Sequence, residues 1–174
     1  MLLNIDFSKI DLQDALDIAI QIEKEAEERY AHFAEMLGAS TLENSASELF
    51  LTMKRNEIKH GAELRKKRES LFGTAASNIQ ADSIVDVEAP EYSSPRIQMS
   101  TFQAMHIARD SEIKAAEFFT EALKVVKDKK VIELFEHLRT EEFEHRAILE
   151  KWIAEYQGDK ESDLNDNSDE PPGL

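Results

Sequence analysis

An all-α fold, an antiparallel four-helix bundle, is expected from three observations. The 174-residue chain is 41% hydrophobic and 33% charged, with only five Gly and four Pro, a balance that favours long helices over sheets. Four segments carry apolar residues at alternating steps of three and four, the spacing that gathers side chains on one helix face. One long Pro- and Ser-containing stretch separates the second segment from the third, as a crossover in a bundle would.

The first helix is expected to start after Asp11 as N-cap, with Asp14 in its first turn, and to stop at Gly38 after Leu37. Its inward stripe reads Leu16, Ala19 or Ile20, Glu23, Ala26 or Glu27, Tyr30 and Leu37. The second is expected from about Thr41 to Arg68, with a stripe of Leu49, Met53, Glu57, His60, Leu64 and Leu71. Its basic run Arg65-Lys66-Lys67-Arg68 suits a helix C-terminus, which favours cations.

Residues 72–99 hold Gly73, Pro90 and Pro95 and no sustained helical period. Ser100 with Gln103 has the form of a capping box, predicting a third helix from Thr101 to about Val126. Its stripe is Met105, Ala108, Glu112, Ala115 or Ala116, Phe119 and Leu123. A tight turn at Lys127 to Lys130 leads to the last helix, whose stripe is Val131, Phe135, Leu138, Glu142, His145, Leu149, Trp152 and Tyr156. Residues 1–156 thus form one expected domain. Residues 157–174, QGDKESDLNDNSDEPPGL, read as an acidic tail without a core of its own.

Charge and composition narrow the function. The formal net charge of −15 opposes nucleic-acid and anionic lipid surfaces and favours cations. The absence of cysteine excludes disulfides, thiolate zinc sites and iron–sulfur clusters in this chain. No apolar run approaches the ~20 residues needed to span a membrane, and a soluble cytoplasmic protein is expected.

The chemistry lies where the apolar stripes are interrupted. Each helix turns one carboxylate inward (Glu23, Glu57, Glu112 and Glu142), and the second and fourth add His60 and His145 three residues later. Four carboxylates in a dry core repel one another by several kcal/mol per close pair, and two divalent cations remove that repulsion. Glu and His three apart lie ~5–6 Å from each other on adjacent turns, so both can reach one metal pair. Mixed oxygen and imidazole ligation suits Fe or Mn, with Zn possible.

Other candidates have plainer expected roles. His32, His106 and His137 lack the Glu-x-x-His spacing and are expected at the surface or its boundary. Tyr30 and Phe119 read as core, with Tyr30 also placed to donate a hydrogen bond to a ligand carboxylate. Glu27, Glu141 and Glu144 are expected on solvated faces, with helpers beside the site as the alternative reading, and Met53, Met99 and Met105 in the core or at its boundary.

Together Glu23-x-x-Ala26-x-x-x-Tyr30, Glu57-Ile-Lys-His60, Glu112-x-x-Ala115 and Glu142-Phe-Glu-His145 resemble the rubrerythrin branch of the ferritin-like superfamily, over residues 11–156. The resemblance implies a carboxylate-bridged site for two Fe ions that reacts with peroxide or dioxygen and is recharged by an external electron donor. It also implies that Glu57 and Glu142 bridge the metals, with Glu23 and His60 on one ion and Glu112 and His145 on the other. Two departures stand out. No rubredoxin-type Cys₄ iron domain accompanies the bundle, and Ala115 stands where rubrerythrins have a further Glu. The second shifts the expected geometry toward the symmetric pattern of ferritins and bacterioferritins.

The leading expectation is a di-iron oxidoreductase acting on a small-molecule oxidant, without nucleic-acid or membrane partners. Ferroxidase or iron-handling activity is the alternative, and a metal-free helical interaction module a third reading. A homodimer or larger homo-oligomer is expected from Ile18, Ile22 and Phe118, taken to lie on outer faces of the bundle.

Overall fold

A computed structural model describes residues 6–37, 46–79 and 100–156. Four helices make up the described fold: α1 (Leu12–Met36), α2 (Ala46–Phe72), α3 (Thr101–Leu123) and α4 (Lys129–Glu155). Helix α1 packs on α2, α3 on α4, and α1 on α4, giving the all-α four-helix bundle that the periodicity predicts.

The helix starts are chemically specified. Asp11 and Asp14 form a reciprocal capping box on α1, the Asp14 N–H donating to Asp11 Oδ1 at 2.9 Å. Ser100 and Gln103 do the same on α3, at 3.1 and 3.2 Å. Asp128 caps α4 by accepting from the N–H groups of Lys130 and Val131, so this helix begins two residues before Val131. Each such cap satisfies donors that the first helical turn cannot.

Apolar packing divides into two clusters. One contains Leu16, Ile18 and Ile22 of α1, Leu64 of α2, Phe118 and Phe119 of α3, and Phe135 and Leu138 of α4. The other contains Tyr30 and Phe33 of α1, Phe50 and Met53 of α2, Met105 and Ala108 of α3, and Leu149 of α4. Along α1 and α4 the chain runs from the first cluster to the second; along α2 and α3 it runs the other way. Helix α2 therefore ends at one end of the bundle and α3 begins at the other. The connection between them has to cover the bundle's length, which explains why it is long. Residues 80–99 of that crossover, Gly38 and residues 41–45, Met99, and the acidic tail lie outside the described residues.

Several expectations need correction. Ile18, Ile22 and Phe118 are buried, at 0, 1 and 3% exposure, and so cannot form an outer contact surface. A bundle helix wedged between two neighbours buries a wider arc than a single stripe. Leu71, expected inward, is 52% exposed because α2 outlasts the core there. That helix passes Arg68 and ends at Phe72, before Gly73 with φ +57°. Arg68 does more than suit a helix terminus: it pairs with Asp17 of α1 at 2.9 Å and donates to the carbonyls of Gly73 and Ala75. At the far ends of the stripes Leu37, Leu123, Trp152 and Tyr156 are only half-buried.

Among the described residues no helix is long and apolar enough to cross a membrane.

Candidate metal centre

Between the two apolar clusters every helix contributes a polar residue to the interior. Glu23, Glu57, Glu112, Glu142 and His145 are each 5% exposed or less, and His60 is 16% exposed at its side chain. Each carboxylate lies seven residues from a core side chain of the second cluster: Glu23 before Tyr30, Glu57 after Phe50, Glu112 after Met105, Glu142 before Leu149. That common offset, two helical turns, brings all four to one depth.

The structure brings the six expected residues together. His145 Nδ1 lies 3.1 Å from Glu57, 3.5 Å from Glu112 and 3.9 Å from Glu142. His60 Nδ1 lies 3.8 Å from Glu23 and 4.0 Å from Glu57. The two imidazoles are nearly parallel, 10° apart with centroids 5.5 Å distant. Among the described residues, three groups have ligand atoms within 4.8 Å of one another and could hold a metal ion: Glu23 with His60 and Glu141, Glu57 with both histidines, and Glu112 with Glu142 and His145. Glu57 thus faces both halves, while Glu142 groups with the α3/α4 half.

The electrostatics show strain that cations would relieve. Two carboxylates 4 Å apart at an effective dielectric of about 20 repel by about 4 kcal/mol. Burial raises the Glu23 pKa to about 7, against a lowering hydrogen bond with Glu57 and with further elevation from the charge of Glu141. Glu112 behaves oppositely. Burial pushes its pKa up, but hydrogen bonds with His145, Glu142 and Tyr30 outweigh that and hold it below the ordinary carboxylate range. Burial also lowers the His60 pKa, favouring the neutral imidazole that metal ligation requires.

Glu23 Oε2 and His60 Nδ1 are buried without a hydrogen-bond partner. Such atoms cost ~1–3 kcal/mol each, and here both belong to groups that coordinate metals readily. The donor set of carboxylate oxygens and imidazole nitrogens fits Fe or Mn, with Zn also accommodated.

Among the other candidates, Tyr30 is fully buried and donates its hydroxyl to Glu112 Oε1. Burial, reinforced by the charges of Glu112 and Glu57, pushes its pKa well up, so it remains a donor. Met53, Met105 and Phe119 are fully buried. His32 and His137 are exposed, and His106 is half-buried with its ring against Phe102. Glu27 is half-buried and Glu144 is exposed. Glu141 differs from its expected solvated position: its side chain is 19% exposed and its Oε1 lies 3.4 Å from His60 Nε2. It precedes Glu142 and falls one residue out of phase with the ligand stripe, so helical spacing alone does not place it at the site.

A profile for the rubrerythrin family matches residues 14–153. The chain belongs to the rubrerythrin family. Like an uncharacterised conserved protein from Magnetospirillum magnetotacticum MS-1, this rubrerythrin-family chain is a helical bundle; the two superpose with a TM-score of 0.70 at 28% identity, over 83% of this chain and 95% of that one. A hypothetical protein from Pyrococcus furiosus shares the fold, with TM-score 0.58 at 21% identity over 86% and 92% of the two chains. No curated protein matches the chain. Rubrerythrin membership makes this a ferritin-like chain of a family that typically binds iron, and its carboxylate and imidazole groups are of a kind that could bind metal.

Proposed function

We propose that the protein is a non-haem di-iron oxidoreductase that reduces peroxide or dioxygen, with Glu23, Glu57, His60, Glu112, Glu142 and His145 as its metal ligands. One observation carries the reading: four buried carboxylates and two imidazoles from four helices converge between two apolar clusters, including buried donor atoms with no hydrogen-bond partner. No packing role explains so much buried charge.

A pair of Fe(II) ions, when bound, supplies one electron from each ion to the oxidant, and an external donor restores them. The chain's own residues set the conditions. Glu57 lies near both histidines and would serve as a ligand common to both metal positions. Glu23 with His60, and Glu112 with His145, complete the two sides. Tyr30 fixes the carboxylate of Glu112 through its hydroxyl, while Phe50, Met53, Met105 and Leu149 wall off water. The first domain spans residues 1–156, the protein acts in the cytoplasm as a homodimer or larger homo-oligomer, and nucleic acid and membrane take no part.

Ala115 favours a second reading, ferroxidase chemistry in iron handling. The position is fully buried and apolar, leaving the Glu plus Glu-x-x-His set of each half without a further carboxylate on α3. Anaerobic Fe(II) titration, followed by peroxide and then oxygen, tests both. The oxidoreductase reading expects about two Fe per chain and repeated peroxide turnover with a reductant. Iron accumulating well beyond two per chain, without peroxide turnover, would select iron handling. Failure to take up Fe(II) at all would leave a metal-free helical module.

A further inference from the structure

Among the described residues, Glu141 is a carboxylate beside the site that the six-ligand set does not use, and it groups with Glu23 and His60. It precedes Glu142 on α4, about 100° further round the helix, yet it reaches the outer edge of the site. Its Oε1 lies 3.4 Å from His60 Nε2. The other nitrogen of that ring, Nδ1, faces Glu23 and Glu57 and is buried without a hydrogen-bond partner. The ring therefore has an inner nitrogen directed at the site and an outer one directed at a carboxylate.

An imidazole that binds metal through one nitrogen keeps its proton on the other, and that N–H needs an acceptor. On the same helix as Glu141, His137 Nε2 lies 3.5 Å from the same oxygen. The corresponding position on α2, the residue before Glu57, is Asn56, a neutral amide. These two corresponding positions thus differ in charge.

We infer that Glu141 is a positioning residue: it accepts the Nε2–H of His60, aims Nδ1 at the metal position shared with Glu23 and Glu57, and makes that position unlike its counterpart at His145. The inference rests on the two-metal reading of the site. Removing an outer carboxylate of this kind weakens a metal 10- to 100-fold, and only one of the two metals should be affected. An amide oxygen can accept the same hydrogen bond without the charge, so Glu141→Gln should restore part of the loss.

Anaerobic Co(II) titration of the full chain and of Glu141→Ala and Glu141→Gln tests this. Visible absorption gives stoichiometry and stepwise affinity, and proton NMR of the Co(II) form gives one shifted, exchangeable N–H per coordinated imidazole. The expected result for Glu141→Ala is one Co(II) weakened 10- to 100-fold, with one of two shifted N–H signals lost to exchange, and partial recovery of both in Glu141→Gln. Unchanged stepwise affinities and both N–H signals in Glu141→Ala would reduce Glu141 to a surface charge and overturn the inference. Loss of one Co(II) in both variants alike would make Glu141 a direct ligand, which also overturns it. A parent protein that binds no Co(II) would instead bring down the two-metal reading, and this inference with it.

Discussion

On the α1/α2 side of the site, Glu23 has a buried oxygen without a hydrogen-bond partner and a pKa raised by burial to about 7. On the α3/α4 side, Glu112 is buried at least as deeply but is held ionised by His145, Glu142 and Tyr30. Both halves use one Glu and one Glu-x-x-His, so the ligand pattern alone does not set these states. The difference comes from what surrounds each carboxylate. Protein hydrogen bonds stabilise the charge of Glu112, whereas Glu23 faces the added negative charge of Glu141. Without metal, the first half is the electrostatically frustrated one and has more to gain from a cation.

The largest effect should come from the residue common to both halves. Glu57 lies near His60 and His145, so Glu57→Ala should abolish binding of at least one metal, and Glu142→Ala should do the same from the α4 side. Elemental analysis of protein purified without chelators, with Fe(II) titration, measures this. Unchanged stoichiometry in both variants would refute the ligand assignment.

Next in size, neutralising the single carboxylate of each half should shift metal-free stability in opposite directions. Glu23→Gln removes a charge that burial opposes, and the melting temperature of the metal-free protein near pH 7.5 should rise by a few degrees. Glu112→Gln removes an acceptor at the centre of a satisfied network and should cost about 1–3 kcal/mol. Calorimetry of both variants gives the comparison; equal shifts of the same sign would erase the distinction between the halves.

How far this site could be read from the chain follows from what helical period encodes. The six residues proposed as ligands stand out because each interrupts an apolar stripe in phase, and the bundle follows from the same stripes. The inequivalence was not legible. Glu141 falls one residue out of phase, and only the placement of His60 on a different helix brings it to the site. Ile18, Ile22 and Phe118 were misplaced for a related reason: one stripe records one contact face, while neighbouring helices on two sides enclose a wider arc. Asp128, which caps α4, lies in a stretch that the sequence predicts only as a turn, because a cap depends on backbone N–H groups that no side-chain pattern displays.

A smaller effect follows from pH. The Glu23 pKa is raised from the ordinary 4.5 to about 7, so between those values the folded protein keeps a proton that the unfolded chain has lost. Stability contributed by this group therefore falls as pH rises through that window. Glu112, with its lowered pKa, acts in reverse: its contribution is present above the ordinary carboxylate range and lost as pH falls below it. Thermal unfolding of the metal-free protein between about pH 5 and 7.5 should show a declining melting temperature, less steep in Glu23→Gln. An identical slope in that variant would assign the trend to the net charge of −15 instead. Bound metal should flatten or reverse it, because ligation requires deprotonated carboxylates.

The smallest expected change tests how Glu112 keeps its charge. Tyr30→Phe removes one hydroxyl and leaves a ring that still packs near Phe50, 6.1 Å between centroids. The loss of that donor to Glu112 should cost about 1 kcal/mol in the metal-free protein, without creating a cavity. It should also raise the Glu112 pKa, moving the α3/α4 half toward the frustrated state of the α1/α2 half. Binding of the metal beside His145 should then weaken modestly, with the metal beside His60 unaffected. Calorimetry and stepwise Co(II) titration of Tyr30→Phe read the two effects separately. If both metals weakened equally, the hydroxyl would serve the whole site, and the division between its halves would not extend to Tyr30.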